Sequence, residues 1–196
     1  MPKKVDHESR KVQIAEATWK VIVEKGLEGA SVRNIAKASG LSAGSLRYYF
    51  SSQSELLLFS MEFVSERVKR RVEAKSHEGE PLDALREIIC EMLPVDAAKR
   101  VEMEVWFVFS AKALVDSTLE SLSKRVYDEI HRGFYRIIQS LQNMRLARDD
   151  LQTDLEVNRL HALVDGMALH HLLHPDLFTY KDMMDTLTYH LKLLCK

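Results

Sequence analysis

The sequence predicts an all-α protein, with a small three-helix front and a larger helical back. Three observations carry that reading. Apolar residues recur at spacings of three and four along most of the 196 residues, and no convincing strand interrupts them. Glycine and proline are scarce, seven and four, so few breaks divide the chain. Ser or Thr stands three residues ahead of Glu at Ser52/Glu55, Ser117/Glu120 and Thr153/Glu156, the pairing that opens a helix by satisfying its first amide groups.

Each element follows in order. Ile14, Ala17, Val21 and Ile22 line one face of a first helix over 7–25, which Gly26 ends. Ser31 caps a second helix carrying Val32, Ile35 and Ala36, and Ser39-Gly40 breaks it. Ser42 caps a short third helix ending near Tyr48. Ser52 and Glu55 open a fourth, running to about Lys75. The clearest internal break is 77–81, and Pro81 suits the first turn of a fifth helix that stops before Pro94. A sixth covers 97–115. Ser117 starts a long seventh, to about Arg145. Thr153 starts an eighth, stopped by His174-Pro175, and a ninth runs from about Tyr180 to the end.

Composition narrows the function. Net charge is −1, but its distribution is uneven. Residues 1–75 carry +5 and residues 76–196 carry −6, so the front suits a polyanion and the back does not. Cys90 and Cys195 lie far apart, not at metal-ligand spacing, and nothing demands an oxidising compartment. No signal peptide opens the chain, and no apolar run approaches the ~18 residues of a membrane span. The expectation is a soluble cytoplasmic protein without a cofactor.

The informative stretch is SVRNIAKASGLSAGSLRYYF, residues 31–50. Two helices crossing at a short turn need a small residue at the crossing, a residue that tolerates positive φ in the turn, and apolar residues to hold the angle. Ala36, Gly40 and the set Ile35, Leu41 and Leu46 meet those needs. The third helix would then present Ala43, Gly44, Ser45 and Arg47, with Tyr48 and Tyr49 at its end. Small residues at its start, behind Ser42, let the backbone press into a major groove. Ser45 can bond a base or phosphate, and Arg47 can read guanine or hold phosphate. One tyrosine is expected to be structural and the other a contact, in either order. Ser31 and Arg33 open the second helix, where phosphate is welcome, although Arg33 equally fits a solvated face.

SVRNIAKASGLSAGSLRYYFSSQSELL resembles the signature of the TetR family of transcriptional repressors, and it stands behind one helix within the first 60 residues, as it does there. The likeness is specific over about 45 residues. A weaker likeness to the BetI-like branch rests on VWFVFSAKAL at 105–114 and ALVDGMALHHLL at 162–173. Two positions depart from the family. Arg47 stands where Tyr is frequent, although BetI-like members are closer there. Gln53 stands where a phosphate-contacting Lys is usual, which shifts the expected phosphate affinity to Lys3, Lys4 and Arg10.

The resemblance implies a DNA-binding domain over 1–51 and a regulatory, dimerising domain over 52–196. Helices near 153–174 and 180–195 would pair with a second copy as a four-helix bundle, through Leu160, Leu163, Val164, Met167 and Ala168, and through Leu187, Leu191 and Leu194. An inducer pocket would lie among helices four to eight, with Phe63, Met103, Trp106, Phe107, Ser110, Phe134 and Ile138 as candidate lining. No charge cluster stands within 103–115, so the inducer is expected to be apolar or amphipathic. The implied partners are double-stranded operator DNA, a small-molecule inducer and a second copy of the chain.

His170 and His174 share a helical face, but no carboxylate or Cys joins them at useful spacing, so interface or core histidines are preferred to a metal site. Lys69-Arg70-Arg71 reads as a solvated face, and Asp165-Gly166 as close helix packing. No phosphate-binding loop, GxSxG, HExxH or dinucleotide fingerprint points to an enzyme. A helical interaction module without DNA binding, favoured only by Gln53, and an activator of the same fold are the remaining alternatives.

Overall fold

The computed structural model describes residues 7–75 and 79–196. Lys3, Lys4 and residues 77–78 of the break therefore lie outside the described residues. Within them lie nine α-helices: α1 (His7–Lys25), α2 (Val32–Ser39), α3 (Ala43–Tyr49), α4 (Gln53–Glu73), α5 (Pro81–Cys90), α6 (Ala97–Ala113), α7 (Glu120–Asn143), α8 (Thr153–Leu173) and α9 (Tyr180–Leu193). A 3-10 turn at Ser117–Leu119 precedes α7. The one extended pairing among the described residues is a bridge between Ala147 and Cys195.

Most helix ends obey local chemistry. Gly26 ends α1 at φ 70°, and Pro81 occupies the first turn of α5. The Ser52 hydroxyl accepts the Glu55 amide at 3.0 Å, but the Glu55 carboxylate turns to the amide and hydroxyl of Ser51, at 2.7 and 2.6 Å. The reciprocal pair is thus shared over two serines. Those bonds from Ser51 hold the Glu55 carboxyl below the usual range.

Two expected starts differ. Asp116, not Ser117, caps the segment before α7, because its carboxylate accepts from both the amide and the hydroxyl of Thr118. α6 stops at Ala113, two residues short of the expected end, and Leu114 and Val115 beyond it are exposed. Thr153 is the first residue inside α8 rather than its cap, and its hydroxyl accepts instead from the Gln142 amide at 3.0 Å. An unexpected reciprocal cap opens α9, between Thr179 and Asp182.

The chain forms two compact units. One comprises Met1–Arg67 and Glu104–Leu122, the other Val68–Met103 and Ser123–Lys196. The first turns of α4 belong to the first unit, where they pack on α1. The Trp19 indole donates to the Ser60 carbonyl at 3.0 Å, its ring stacks on Phe63 at 5.4 Å, and Arg67 lies over it at 5.3 Å while pairing with Glu16 at 3.1 Å. Leu56, Met61 and Val64 are buried with Ile14, Ile22, Ile35, Leu46 and Phe50.

In the second unit the buried residues include Leu85 and Ile89 of α5, Phe134, Ile138 and Leu141 of α7, Leu160 and Val164 of α8, and Met183 and Leu187 of α9. A charged knot sits among them. Arg71, in the last turn of α4, grips both carboxylate oxygens of Glu102 at 2.7 and 3.0 Å and donates to Glu91 at 2.8 Å. Lys75 and Lys99 each reach Glu91 at 3.2 Å. Burial alone would raise Glu91, but hydrogen bonds from Arg71, Lys99 and Lys75 hold it below the usual carboxylate range. Lys69 and Arg70 are solvated as expected; Arg71 is not, because two buried carboxylates call for its guanidinium.

Candidate nucleic-acid interface

The helix-turn-helix is built from its caps inward. Ser31, extended at φ −73° and ψ 153°, accepts the Asn34 amide, and the Asn34 side chain returns to the Gly29 carbonyl at 2.9 Å. This sets where α2 begins. Gly40 ends it in the left-handed region, at φ 69° and ψ 22°. The Leu41 amide then closes back on the Ala36 carbonyl at 2.9 Å. That reversal needs a residue without a Cβ penalty, which Gly40 supplies.

Ser42 caps α3 by accepting the Ser45 amide at 3.0 Å, and the two hydroxyls meet at 2.9 Å. Ile35, Ala36, Leu46 and Phe50 are buried and lock the angle between the helices. Arg33, Ser42, Ala43, Gly44, Ser45, Arg47 and Tyr48 are exposed, while Ser31 and Tyr49 are half-buried. Arg33 and Arg47 make no ion pair among the described residues, so both guanidinia face solvent. Tyr48 is 75% exposed and Tyr49 is the more enclosed, which gives the two tyrosines different surroundings. Within the Ser42/Ser45 pair one hydroxyl hydrogen is committed internally, which leaves the other for a base or phosphate.

Two further features of this corner have no local sequence signal. The Gln53 side-chain amide donates to the Ala30 carbonyl at 2.9 Å, fastening the start of α4 beside the cap of α2. The ring of His7 lies 4.7 Å from Tyr49 and 5.7 Å from Tyr48, and the tyrosines meet edge to face at 5.2 Å. Both are contacts between residues more than twenty positions apart.

The expected inducer residues divide between the units. Phe63, Trp106, Phe107 and Ser110 belong to the first, and Met103, Phe134 and Ile138 to the second. In the first, Phe63 stacks between Trp19 and Phe59, and Trp106 stacks on Phe109. In the second, Phe134 and Ile138 are completely buried, and Phe134 packs on the His161 ring at 5.1 Å.

Most of the apolar stripe expected to pair two copies is internal instead, with Leu163 half-buried. Leu160, Val164, Met167 and Ala168 of α8, with Leu187, Leu191 and Leu194 at α9, are buried within the single chain. A second apolar face stays exposed: Leu155, Ala162, Leu169 and Leu173 on α8, and Tyr189 and Leu193 on α9. A Cβ added at Gly166, on that same α8 face, would meet nothing within 4 Å, so the close packing expected there is not made inside the chain. The histidines close the end of α8: His171 bonds the Phe178 carbonyl at 2.8 Å, His170 packs on the Phe178 ring, and His174 supplies the last amide of the helix.

Comparison with known proteins agrees with this geometry. Residues 14–58 match the model of the bacterial regulatory proteins of the tetR family, and residues 81–196 match that of the BetI-type transcriptional repressor C-terminal region. The chain is 46% identical over 176 residues to the HTH-type transcriptional regulator PksA of Bacillus subtilis, covering 89% of this chain and 84% of that one. It is 29% identical to the HTH-type transcriptional regulator BetI of Stenotrophomonas maltophilia, over 86% and 84% of the two chains. A transcriptional regulator from a Rhodococcus species superposes with a TM-score of 0.81 at 26% identity, covering 94% and 95%. Another, from Saccharomonospora viridis and solved with choline, gives 0.80 at 23%, covering 94% of each chain.

Proposed function

The chain belongs to the TetR family of transcriptional regulators, with a BetI-type C-terminal region, and from that premise we propose that it is a ligand-responsive repressor that binds a near-palindromic operator as a homodimer. The observation that carries the DNA-binding part is the surface of α3. Its core side is closed by Leu46 and Phe50, and its other side offers small residues followed by an unpaired Arg47 and the exposed Tyr48. Ala43 and Gly44 let the helix approach base edges. Arg47 and Ser45 supply hydrogen bonds, while Ser31, Arg33 and the exposed Tyr48 hold phosphates.

The exposed α8/α9 face supports the homodimer. Leucines this exposed on one helical stripe are an association surface, and a second copy covers it with the same residues. Two reading heads held at fixed spacing then multiply affinity for paired half-sites. The inducer is a mostly apolar small molecule that favours a dimer whose heads no longer fit the operator. α4 is the lever, since its residues 53–67 belong to the first unit and 68–73 to the second.

The test is a salt-dependent anisotropy titration with DNA from upstream of the protein's own gene and a scrambled control. Saturable, upstream-preferring binding that weakens steeply with salt supports the reading. Arg47→Ala is expected to weaken it by about 1–3 kcal/mol. Equal, weak binding of both duplexes, and of any duplex recovered by random-sequence selection, overturns it. A thermal-shift screen of metabolites, choline among them, tests the inducer: stabilisation only by highly charged compounds overturns the apolar assignment.

A further inference from the structure

We propose that His7 is part of the DNA-contacting surface: braced on Tyr48 and Tyr49, its imidazole holds a backbone phosphate beside the bases that α3 reads, and it takes up a proton in doing so. The inference rests on the DNA-binding reading above and extends the interface from the helix-turn-helix to the start of α1.

Three observations place it there. The three rings all touch one another, at 4.7, 5.2 and 5.7 Å, and the cluster opens to solvent: His7 and Tyr48 are exposed and Tyr49 half-buried. It is therefore not part of the core, which Leu46 and Phe50 close from the other side. Next, α1 runs past the end of α3 in a defined register. One turn beyond His7, and on the same helical face, the Lys11 ammonium lies 5.9 Å over Phe50 and 5.6 Å over Phe59. Last, the cluster sits directly after Arg47, at the end of the helix that the first unit presents.

The chemistry distinguishes an imidazole from any other ring at this position. It donates N–H to phosphate, and a phosphate in turn favours its charged form. The charged ring gains from the faces of Tyr48 and Tyr49. The titratable groups around it are those two tyrosines on α3, Glu8 and Lys11 on its own helix, which pair with each other at 3.9 Å, and Glu55 at the start of α4, whose carboxylate feels the Lys11 charge. Because a bound phosphate favours the charged imidazole over the neutral one, operator affinity depends on pH through this residue.

The experiment measures the full-length protein with a duplex recovered by random-sequence selection on the wild type, against a scrambled duplex, at pH 6, 7 and 8 and several salt concentrations. Wild type is expected to bind the selected duplex roughly threefold to tenfold more tightly at pH 6 than at pH 8, with a salt slope steeper by about one ion at pH 6. His7→Phe keeps the stacked rings, and is expected to keep the melting temperature and the sequence preference while flattening both dependences. His7→Arg is expected to bind at pH 8 as tightly as wild type does at pH 6. A His7→Phe protein that retains the wild-type pH profile and slopes overturns the inference, as does a His7→Arg protein no tighter than wild type at pH 8. Wild type that prefers no duplex overturns the DNA-binding reading itself, a result separate from the other two.

Discussion

The side-chain amide of Gln53 donates to the backbone carbonyl of Ala30 at 2.9 Å. Ala30 is completely buried and immediately precedes Ser31, the cap of α2. One hydrogen bond thus fixes the start of α4 against the start of the helix-turn-helix, at a position where the family usually has Lys. Gln53→Ala is expected to cost about 1 kcal/mol of stability. Gln53→Lys is expected to steepen the dependence of log affinity on log salt by about one ion, since an ammonium at this edge reaches phosphate. Urea unfolding checks the first, and anisotropy over a salt series checks the second.

Gly40 holds a left-handed conformation with open space where a Cβ would go. Substitution there meets no clash, only backbone strain, so Gly40→Ala is expected to destabilise by about 1–2 kcal/mol. The strain falls on the turn between α2 and α3, so DNA affinity should fall with it. Circular-dichroism melting and a binding titration on the same sample make the comparison, and a variant with unchanged melting would contradict the assignment.

Arg71 joins two buried carboxylates; removing it leaves Glu91 to Lys75 and Lys99 and takes the two-pronged partner from Glu102. Arg71→Met is expected to cost about 3–5 kcal/mol, because Glu91 and Glu102 lose a shared partner in surroundings that exclude water. The double variant Arg71→Met/Glu102→Gln should recover part of that loss, and a double-mutant cycle in urea measures the coupling. Glu91 is held below its ordinary value in the fold. Its contribution is therefore complete above the ordinary carboxylate range and is lost as pH falls through the lower folded value.

Two buried histidines act in the other part of the pH scale. His161 is held below its ordinary value by burial and by neighbouring His131, and His190 by burial and by Arg159. His161 packs against Tyr127 and Phe134, and its Nδ1 has no hydrogen-bond partner among the described residues. Both rings stay neutral in the fold at pH values where the unfolded chain is protonated. Stability is therefore complete above the ordinary histidine value and declines as pH falls from there toward the folded values. Urea midpoints between pH 8 and pH 6 should show that decline, and His161→Phe should flatten it; below that Asp165, raised to about 6 by burial, takes up a proton in the fold and opposes it. An equal decline in the variant would assign it to other groups.

Association is tested on the exposed face of α8. Leu169→Glu adds charge to a residue already 38% exposed in the single chain, so the fold should survive while pairing weakens. Sedimentation of wild type as a dimer and of the variant as a folded monomer is the expected pair of results. A monomeric wild type would remove the proposed interface.

How much was legible in the sequence followed the range of the interactions. Ser31, Gly40 and Ser42 act within four residues of themselves, so the helix-turn-helix could be read directly, and the structure places their caps as expected. The same locality made the alternation of Ile35, Ala36 and Leu46 with Arg33 and Arg47 a reliable guide to inside and outside. Asp116 and Thr179/Asp182 show the limit even there, since several side chains compete for each helix start and only the final geometry chooses among them.

Tertiary structure decided the rest. α8 is apolar on two faces, and periodicity alone cannot say which one its own chain covers; packing against α9 buries Leu160, Val164 and Met167 and leaves Leu155, Leu169 and Leu173 outside. Arg71 stands in a run of basic residues like its neighbours, but Glu91 and Glu102 lie twenty and thirty-one residues further on. Gln53 with Ala30, and His7 with the tyrosines, are likewise pairings across the fold. The helices and the reading head follow from local order along the chain, because backbone hydrogen bonds and caps are satisfied within a few residues. Which side chains meet across those helices depends on how the whole chain excludes water, and only the folded molecule determines that.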